Sequence, residues 1–162
     1  MNTERVLRFK VDTKHRKDWF TGVSFSHPAK MSLPLQLWII ENYTKAGETI
    51  LDPMAGSGTI LVACSMGRNV IAVELESKFI DIMKGNWVKI EQRGAQMGYS
   101  MGECQIIQGD ARQLEGLLAD KIITSSPYIA QISTSKQTEG LFKGRRLFKE
   151  GRDPQPHSKG QI

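Results

Sequence analysis

Three acidic side chains and a glycine-rich loop are the residues of this sequence best suited to binding a small ligand. The loop reads LDPMAGSGT, and Asp52 precedes its glycines at the end of an apolar run. Glu74 lies near the end of a second apolar run, NVIAVEL, and Asp110 closes a third, CQIIQGD. If these runs are neighbouring parallel strands, their carboxyl ends meet at the edge of the sheet where ligands bind in open α/β folds.

The loop does not match two common nucleotide-binding patterns. A P-loop requires a lysine after its last glycine, and here Thr59 follows Gly58. The dinucleotide fingerprint requires a third glycine three residues after the second, and that position is Leu61. Asp52 would repel a pyrophosphate, whereas it suits a ligand that carries an ammonium group. An ordinary strand-to-helix turn that needs small residues is the alternative.

The three acids together fit S-adenosyl-L-methionine better than NAD. Asp52 can accept the ammonium group, Glu74 the ribose hydroxyls and Asp110 the amino group of the adenine. Glu74 alone is equally compatible with a surface acid at a strand end. The joint register at three successive strand ends is what favours a cofactor site.

A second group of residues, TSSPY at 124–128, ends the apolar run that starts at Lys121. In isolation, Ser-Ser-Pro-Tyr is most simply a turn that closes a strand. Here it closes a fourth predicted strand, which should lie beside the first and reach the same edge of the sheet. The register therefore predicts an active-site segment.

Strands and helices must alternate to bring these residues together, and the hydrophobic pattern alternates from 49 to 127. The predicted strands are TILDPM, NVIAVEL, CQIIQGD and KIITSSP. The predicted helices are SLPLQLWIIENYTKAGE, which Ser32 caps and Gly47 ends, then SGTILVACSMG, ESKFIDIMKGNWVKIEQRG and ARQLEGLLAD. This order is typical of a Rossmann-like α/β fold with a parallel sheet and right-handed crossovers.

The two ends of the chain are basic. Residues 1–30 and 131–162 each carry seven Lys/Arg and three Asp/Glu, within a net charge of +5. We predict an irregular basic arm at 1–31, an α/β domain at 32–130 and an irregular basic tail at 131–162. Such ends indicate either a polyanionic partner such as nucleic acid or two solvated segments. The sequence shows neither a signal peptide nor a membrane-spanning run, so a cytoplasmic location is expected.

The segment HPAKMSLPLQLWIIENYTKAGETILDPMAGSGT, together with TSSPY, resembles the amino-methyltransferases of DNA, which methylate N6 of adenine or N4 of cytosine. The resemblance covers about residues 25–130 and implies a Rossmann-like methyltransferase fold with S-adenosyl-L-methionine as cofactor and DNA as partner. In that family a His-Pro-x-Lys segment helps to hold the methionine end of the cofactor. The cofactor-binding residues that the resemblance implies are His27, Pro28, Lys30, Asp52, Pro53, Met54, Ala55, Gly56, Ser57, Gly58, Thr59, Glu74, Leu75, Asp110 and Ala111. No metal site is indicated.

The resemblance also assigns TSSPY to methyl transfer. The Ser125 hydroxyl would accept a hydrogen bond from the exocyclic amine, and the backbone carbonyl of Ser126 would accept a second. Pro127 would stiffen the turn, and Tyr128 would offer an aromatic face to a base taken out of the duplex. With a serine at its first position, the motif is more similar to that of the cytosine-N4 members. The family usually has proline where this chain has Ser126, which leaves the second acceptor less rigidly aimed.

Family members have a larger, doubly wound sheet, and four strands are legible here, with the expected order 3-2-1-4. The fourth strand would be an uncovered apolar edge, which a second chain or a further C-terminal part would complete. Two other functions stay open. One is an RNA base methyltransferase, because RNA guanine-N2 enzymes share a similar loop and turn. The other is a catalytically silent module that binds cofactor or nucleic acid.

Overall fold

The computed structural model describes residues 6–9, 12–26 and 30–126. Its helices are α1 (Thr13–Trp19), α2 (Leu33–Tyr43) and α3 (Ser77–Arg93), with a first 3-10 helix at Gly22–Ser26 and a second at Thr59–Met66. Its strands are β1 (Thr49–Asp52), β2 (Asn69–Glu74), β3 (Cys104–Gln108) and β4 (Lys121–Ile122). None of these described helices combines the length and apolar character needed to cross a membrane.

The four strands form one parallel sheet in the order β3-β2-β1-β4. Ile50 of β1 pairs with Val70 of β2 and with Lys121 of β4, and Val70 pairs in turn with Cys104 of β3. The predicted Rossmann-like sheet and its strand order are therefore confirmed. Within the described residues β4 is an edge strand, and Ile122 on it is 66% exposed.

The apolar side chains of β1 and β2 alternate between the two faces of the sheet, as strand geometry requires. Ile50 and Val70 join the main core, which also contains buried residues of α2, α3 and the second 3-10 helix. A smaller cluster lies on the other face and consists of Leu51, Ile71, Val73, Ile107, Leu114 and Leu117. Because both faces are covered, these strands are nearly continuous in apolar residues.

The predicted helix ARQLEGLLAD is wrong, because residues 111–120 form turns. Gly116 lies within the segment with a φ of +81°, a left-handed conformation that ends a helix. The backbone makes two isolated turn bonds, from Gln113 N–H to Asp110 O and from Leu117 N–H to Leu114 O. The spacing of Leu114 and Leu117 fits a helix as well as it fits two turns, and both arrangements place these side chains on the sheet.

The prediction of an irregular N-terminal arm is wrong for residues 13–26. These residues form α1 and the first 3-10 helix, and Trp19 and Phe20 are buried in the main core. A helix of seven residues is too short to show a clear period, and the buried Arg16 interrupts its apolar pattern. Tertiary packing stabilises a helix of this length, since local propensity alone does not.

Helix α2 begins and ends differently from the prediction. Ser32 occupies the N-cap position, but its side chain makes no capping hydrogen bond. The Asp12 carboxylate accepts the Leu33 N–H instead, at 2.6 Å. The helix ends at Tyr43, and Gly47 lies in the turn beyond it with a φ of +86°.

Candidate active site

The three acidic residues lie at the carboxyl ends of neighbouring strands. Asp52 is the last residue of β1, Glu74 is the last residue of β2, and Asp110 follows the end of β3 by two residues. Because β2 lies between β1 and β3, the three carboxylates follow one edge of the sheet. This is the arrangement that the register of the sequence predicts.

The glycine loop connects β1 to the second 3-10 helix and is hydrogen-bonded to β2. Gly56 and Gly58 have φ values of +55° and +81°. The Ala55 N–H donates to the Val73 carbonyl at 2.9 Å, and the Gly56 N–H donates to Glu74 Oε2 at 2.8 Å. These two bonds fix the loop against the end of β2.

Helix α3 supports the loop from the core side. A Cβ atom at Gly58 would lie 2.6 Å from Met83 Cγ and 3.0 Å from Leu61 Cδ1, so a side chain there would push the loop away from α3. Asn86 of α3 is fully buried, and its Nδ2 donates to the Ser57 carbonyl at 2.7 Å. Close packing and one buried hydrogen bond therefore fix the distance between the loop and α3.

The remaining loop residues differ in exposure. Pro53 and Met54 are half-buried, and the Met54 N–H donates to Asp52 Oδ1 at 3.1 Å. The buried members of the loop are Asp52, Ala55, Gly56, Ser57, Gly58 and Thr59. Pro53 and Met54 are therefore the most exposed residues of this loop.

Asp52 is a buried acid with an unusual environment. It is 7% exposed, and burial raises the pKa of its carboxyl to about 6, although the nearby Thr124 hydroxyl and the Met54 N–H lower it. Thr124 Oγ1 is buried, and among the described residues it has no hydrogen bond that is good in both distance and angle. The Asp52 carboxylate and the lone pairs of the Thr124 hydroxyl are acceptors to which a bound ammonium group could donate.

Glu74 links the loop to the segment after β2. Its Oε2 accepts the Gly56 N–H, and its Oε1 accepts the Glu76 N–H at 2.9 Å. Because an ionised carboxylate offers about four lone-pair sites, each oxygen can accept one more hydrogen bond, for example from a ribose hydroxyl. Leu75, the next residue, is 63% exposed and adds an apolar surface to the same edge.

Asp110 is paired with Arg112. Arg112 Nη2 lies 2.5 Å from Asp110 Oδ2, and the Arg112 backbone N–H donates to Oδ1 at 2.9 Å. The side-chain bond from Arg112 lowers the pKa of Asp110 to about 2. Arg112 is 87% exposed, and such surface pairs open easily. An adenine amino group would compete with Arg112 for this carboxylate, next to the half-buried Ala111.

Strand β4 brings the start of TSSPY beside β1. The strand is shorter than predicted, but the Ile123 N–H beyond its end still donates to the Leu51 carbonyl at 3.1 Å. The chain therefore continues along β1 up to the residue before Asp52.

The described part of TSSPY includes both serines. Ser125 is half-buried and Ser126 is exposed. Pro127 and Tyr128 lie outside the described residues, so their predicted roles stay predictions.

The predicted His-Pro-x-Lys segment is described only at its lysine. His27 and Pro28 lie outside the described residues. Lys30 Nζ donates to the Phe25 carbonyl at 3.1 Å. Burial and the charge of Arg16 lower the pKa of Lys30, against the attraction of Asp12. Lys30 therefore lies close to the Asp12–Arg16 pair.

Two residues that the sequence pattern did not single out contact the loop. Arg16 Nη1 donates to Thr59 Oγ1 at 3.0 Å, and Asn86 binds the Ser57 carbonyl. The four-residue spacing of Asp12 and Arg16 is a signal for a helical ion pair that could have drawn notice to Arg16. No local signal marks Asn86, which lies among apolar neighbours in the pattern of α3.

Two further features lie apart from these residues. The described ranges contain no group of three His, Cys, Asp or Glu side chains that could hold a metal ion. A cavity of about 550 Å³ is lined by His15, Trp19, Arg93 and residues 94–97, and none of the predicted site residues contributes to it.

Comparison with known proteins gives a family match. The family described as DNA methylase, of the N6 and N4 type, matches residues 2–85, which is more than half of the chain. The match includes the glycine loop, Asp52 and Glu74.

Individual relatives are similar to parts of this chain. A tRNA (guanine(10)-N2)-dimethyltransferase of Methanothermobacter thermautotrophicus is 28% identical over 129 residues, which are 78% of this chain and 34% of that protein. The type II methyltransferase M.BglI of Bacillus subtilis is 43% identical over 61 residues, 37% of this chain and 18% of the relative. The type II methyltransferase M2.DpnII of Streptococcus pneumoniae is 35% identical over 82 residues, 45% and 31% respectively. The chain thus spans about a third or less of these relatives.

Proposed function

Because this chain belongs to the N6/N4 DNA methylase family, we propose that it carries the cofactor-binding part of an enzyme that methylates an exocyclic amine of a DNA base. The cofactor is S-adenosyl-L-methionine. The observation that carries the proposal is the convergence of four features at one sheet edge: Asp52, the glycine loop, Glu74 and the start of TSSPY.

The donors and acceptors at this edge support the assignment of the cofactor site. Asp52, beside the unsatisfied Thr124 hydroxyl, accepts the ammonium group. The free lone pairs of Glu74 accept the ribose hydroxyls, and Asp110 accepts the adenine amino group once Arg112 releases it. The remaining contacts that we propose are made by His27, Pro28, Lys30, Pro53, Met54, Ala55, Gly56, Ser57, Gly58, Thr59, Leu75 and Ala111.

The proposed chemistry is positioning of the amine. The cofactor supplies an electrophilic methyl group on a sulfonium sulfur. Ser125 Oγ and the backbone carbonyl of Ser126 accept hydrogen bonds from the amine, which favours the pyramidal form with its lone pair available for attack. Pro127 stiffens the turn, and Tyr128 stacks on a base that has left the duplex. As the bond from the amine nitrogen to the methyl carbon formed, the bond from that carbon to sulfur would break and release the thioether form of the cofactor, and the amine would lose one proton to solvent.

We favour cytosine N4 over adenine N6 as the methylated atom. The support is the serine at position 125, since the adenine enzymes that the chain resembles lean to aspartate there. Duplex DNA with a flipped base is the proposed partner. Basic side chains of 1–30 other than the buried Arg16, and those of 131–162, would contact its phosphates.

Methylation of an RNA base is the second candidate. The similarity that supports it is to the tRNA (guanine(10)-N2)-dimethyltransferase, which extends over 78% of this chain. A catalytically silent binding module is the third, and it rests on Ser126 in place of the proline usual in the family.

Two measurements on the full chain test these proposals in turn. Titration calorimetry with S-adenosyl-L-methionine should show one site, and Asp52→Ala should abolish it. The matched control is Asp120→Ala, which changes an exposed acid at the amino end of β4. Absence of heat with the wild-type chain would remove the cofactor assignment.

Transfer of labelled methyl to duplex DNA and to tRNA then separates the substrates. We expect label in DNA, and nucleoside analysis should find N4-methylcytosine. Label in tRNA alone would favour the second candidate. Cofactor binding without transfer to either acid would favour the silent module for this chain.

A further inference from the structure

Arg16 of α1 is a buried cation, and one of its hydrogen bonds reaches the glycine loop. Only 3% of the Arg16 surface is exposed. Nη1 donates to Thr59 Oγ1 at 3.0 Å, and Nη2 donates to the Met31 carbonyl at 2.5 Å and to Asp12 Oδ2 at 2.9 Å. Thr59 directly follows the last glycine of the loop and begins the second 3-10 helix. The guanidinium thus joins three segments at the point where the loop becomes a helix.

The Asp12 carboxylate extends this arrangement to α2. Its Oδ2 accepts the Leu33 N–H at 2.6 Å in addition to the bonds from Arg16. Burial tends to raise the pKa of Asp12, but the bonds from Leu33 and Arg16 outweigh it and hold the pKa below its ordinary value. The carboxylate therefore stays ionised at neutral pH. The pair ties the start of α2 to the start of the second 3-10 helix.

A second connection runs from the same N-terminal segment to the loop. Asn86 Oδ1 accepts both the backbone N–H and the hydroxyl of Thr21, at 2.8 and 2.7 Å. Its Nδ2 donates to the Ser57 carbonyl. Residues 12–26 thus reach the loop directly at Thr59 and through Asn86 at Ser57.

A buried arginine is costly, because desolvation of the charge must be offset by its partners. Arg68 is a second buried arginine, and its hydrogen-bond partners lie away from the glycine loop. It is also 3% exposed, and it donates to Thr44 Oγ1 at 2.9 Å, to the Thr44 carbonyl at 2.8 Å and to the Met66 carbonyl at 2.5 Å. These bonds lie at the amino end of β2, on the edge of the sheet opposite the loop. The two arginines have similar burial, and each donates to a threonine hydroxyl and to at least one backbone carbonyl. Of the two, and within the described residues, only Arg16 also pairs with a carboxylate, that of Asp12.

We propose that Arg16 is a positioning residue for cofactor binding, which braces the glycine loop by holding Thr59 in place against α1 and α2. The inference rests on the proposed cofactor site. Arg16 acts through Thr59 and contacts no ligand itself. The loop backbone between Ala55 and Thr59 is thereby ordered before the ligand arrives, so less conformational freedom is lost on binding.

The test compares Arg16→Met with Arg68→Met in the full chain. Each substitution removes one buried guanidinium of equal exposure, so both should lower the midpoint of thermal unfolding. Calorimetry should find the Kd for S-adenosyl-L-methionine weakened about tenfold or more in R16M, the scale of one charge-assisted hydrogen bond, and unchanged in R68M. An unchanged Kd in folded R16M, or an equal loss in R68M, would overturn the inference.

Arg16→Lys covers the case in which R16M does not fold. Lysine keeps the charge, but its ammonium cannot match the fork that joins Thr59, Met31 and Asp12. We expect a weakened Kd in R16K as well, and a wild-type Kd would count against a positioning role.

Hydrogen exchange separates this inference from the proposed function. The amides of residues 56–58 should exchange faster in R16M than in the wild type, and at the wild-type rate in R68M. If the wild-type chain binds no cofactor, the proposed function fails, while the exchange result still decides whether Arg16 orders the loop. If these amides exchange at the same rate in R16M and in the wild type, Arg16 does not order the loop.

Discussion

The Gly56 N–H donates to Glu74 Oε2 at 2.8 Å, and this bond joins the loop after β1 to the end of β2. The same carboxylate is the proposed acceptor of the ribose hydroxyls. One side chain therefore shapes the loop and binds the ligand, so a change at Glu74 should affect both.

Glu74→Gln should weaken cofactor binding. Glu74 accepts a backbone N–H at each of its oxygens, whereas glutamine offers one acceptor oxygen and places an NH₂ group against the other N–H. We expect the Kd to rise roughly 10- to 100-fold, the range for loss of a hydrogen bond to a charged group. Calorimetry measures it. The control is Glu76→Gln, whose side chain is 54% exposed and pairs with Lys78, and its Kd should stay at the wild-type value.

Asp52 should make stability fall with rising pH. Its pKa is raised from 3.8 to about 6 in the folded protein, so the native state binds this proton more tightly than the unfolded state does. The stabilising contribution of the protonated Asp52 carboxyl is fully present below about pH 4, falls between pH 4 and 6, and is lost above pH 6. Asp52→Asn should remove that slope and raise the free energy of unfolding at pH 7 by at most about 3 kcal/mol. Urea denaturation from pH 4 to 7.5 measures both.

Cofactor binding should have the opposite dependence on pH. An ammonium group favours the ionised form of Asp52, so binding requires loss of the proton. The Kd should therefore rise about tenfold for each unit of pH below 6 and level off above it. A Kd that is constant from pH 5 to 7.5 would contradict the contact between Asp52 and the ammonium group.

Gly58→Ala should destabilise the protein more than Gly47→Ala. Both glycines have positive φ, +81° and +86°, so both variants lose roughly 1–2 kcal/mol to the left-handed conformation. At Gly58 the new Cβ also meets Met83 Cγ at 2.6 Å, while nothing lies within 4 Å of it at Gly47. Overpacking should add about 1–3 kcal/mol. Urea denaturation of both variants measures the difference, and equal losses would show that the loop can move away from α3.

Tyr128→Ala should leave cofactor binding unchanged and reduce methyl transfer. In the proposed site Tyr128 stacks on the flipped base and does not contact the cofactor. The Kd from calorimetry should stay within about twofold of the wild-type value, while transfer of label to DNA should fall by about tenfold or more, the scale of one base-stacking contact. Tyr43→Ala, which changes a tyrosine 62% exposed on α2, is the control for transfer. Normal transfer by Tyr128→Ala would remove the stacking role.

Much of the fold could be predicted because local sequence patterns indicate its strands and helices. The apolar runs of β1, β2 and β3 alternate with helical segments, and that alternation implies a parallel sheet. The order 3-2-1-4, which the structure has, is expected from the resemblance to the amino-methyltransferases. Asp52 and Glu74 end their strands, so their meeting at one edge follows from the same pattern. The prediction of a helix at 111–120 is wrong, because the spacing of Leu114 and Leu117 fits two turns as well as it fits a helix.

The sequence by itself determined which residues stand at the strand ends and which loop lies between them, because these follow from neighbours along the chain. Only the tertiary structure decided the raised pKa of Asp52, the capping of α2 by Asp12 and the contact of Arg16 with Thr59. The last of these joins residues 43 positions apart. Such contacts depend on how separate segments pack and on which charges that packing removes from water, and no local pattern of residues encodes either.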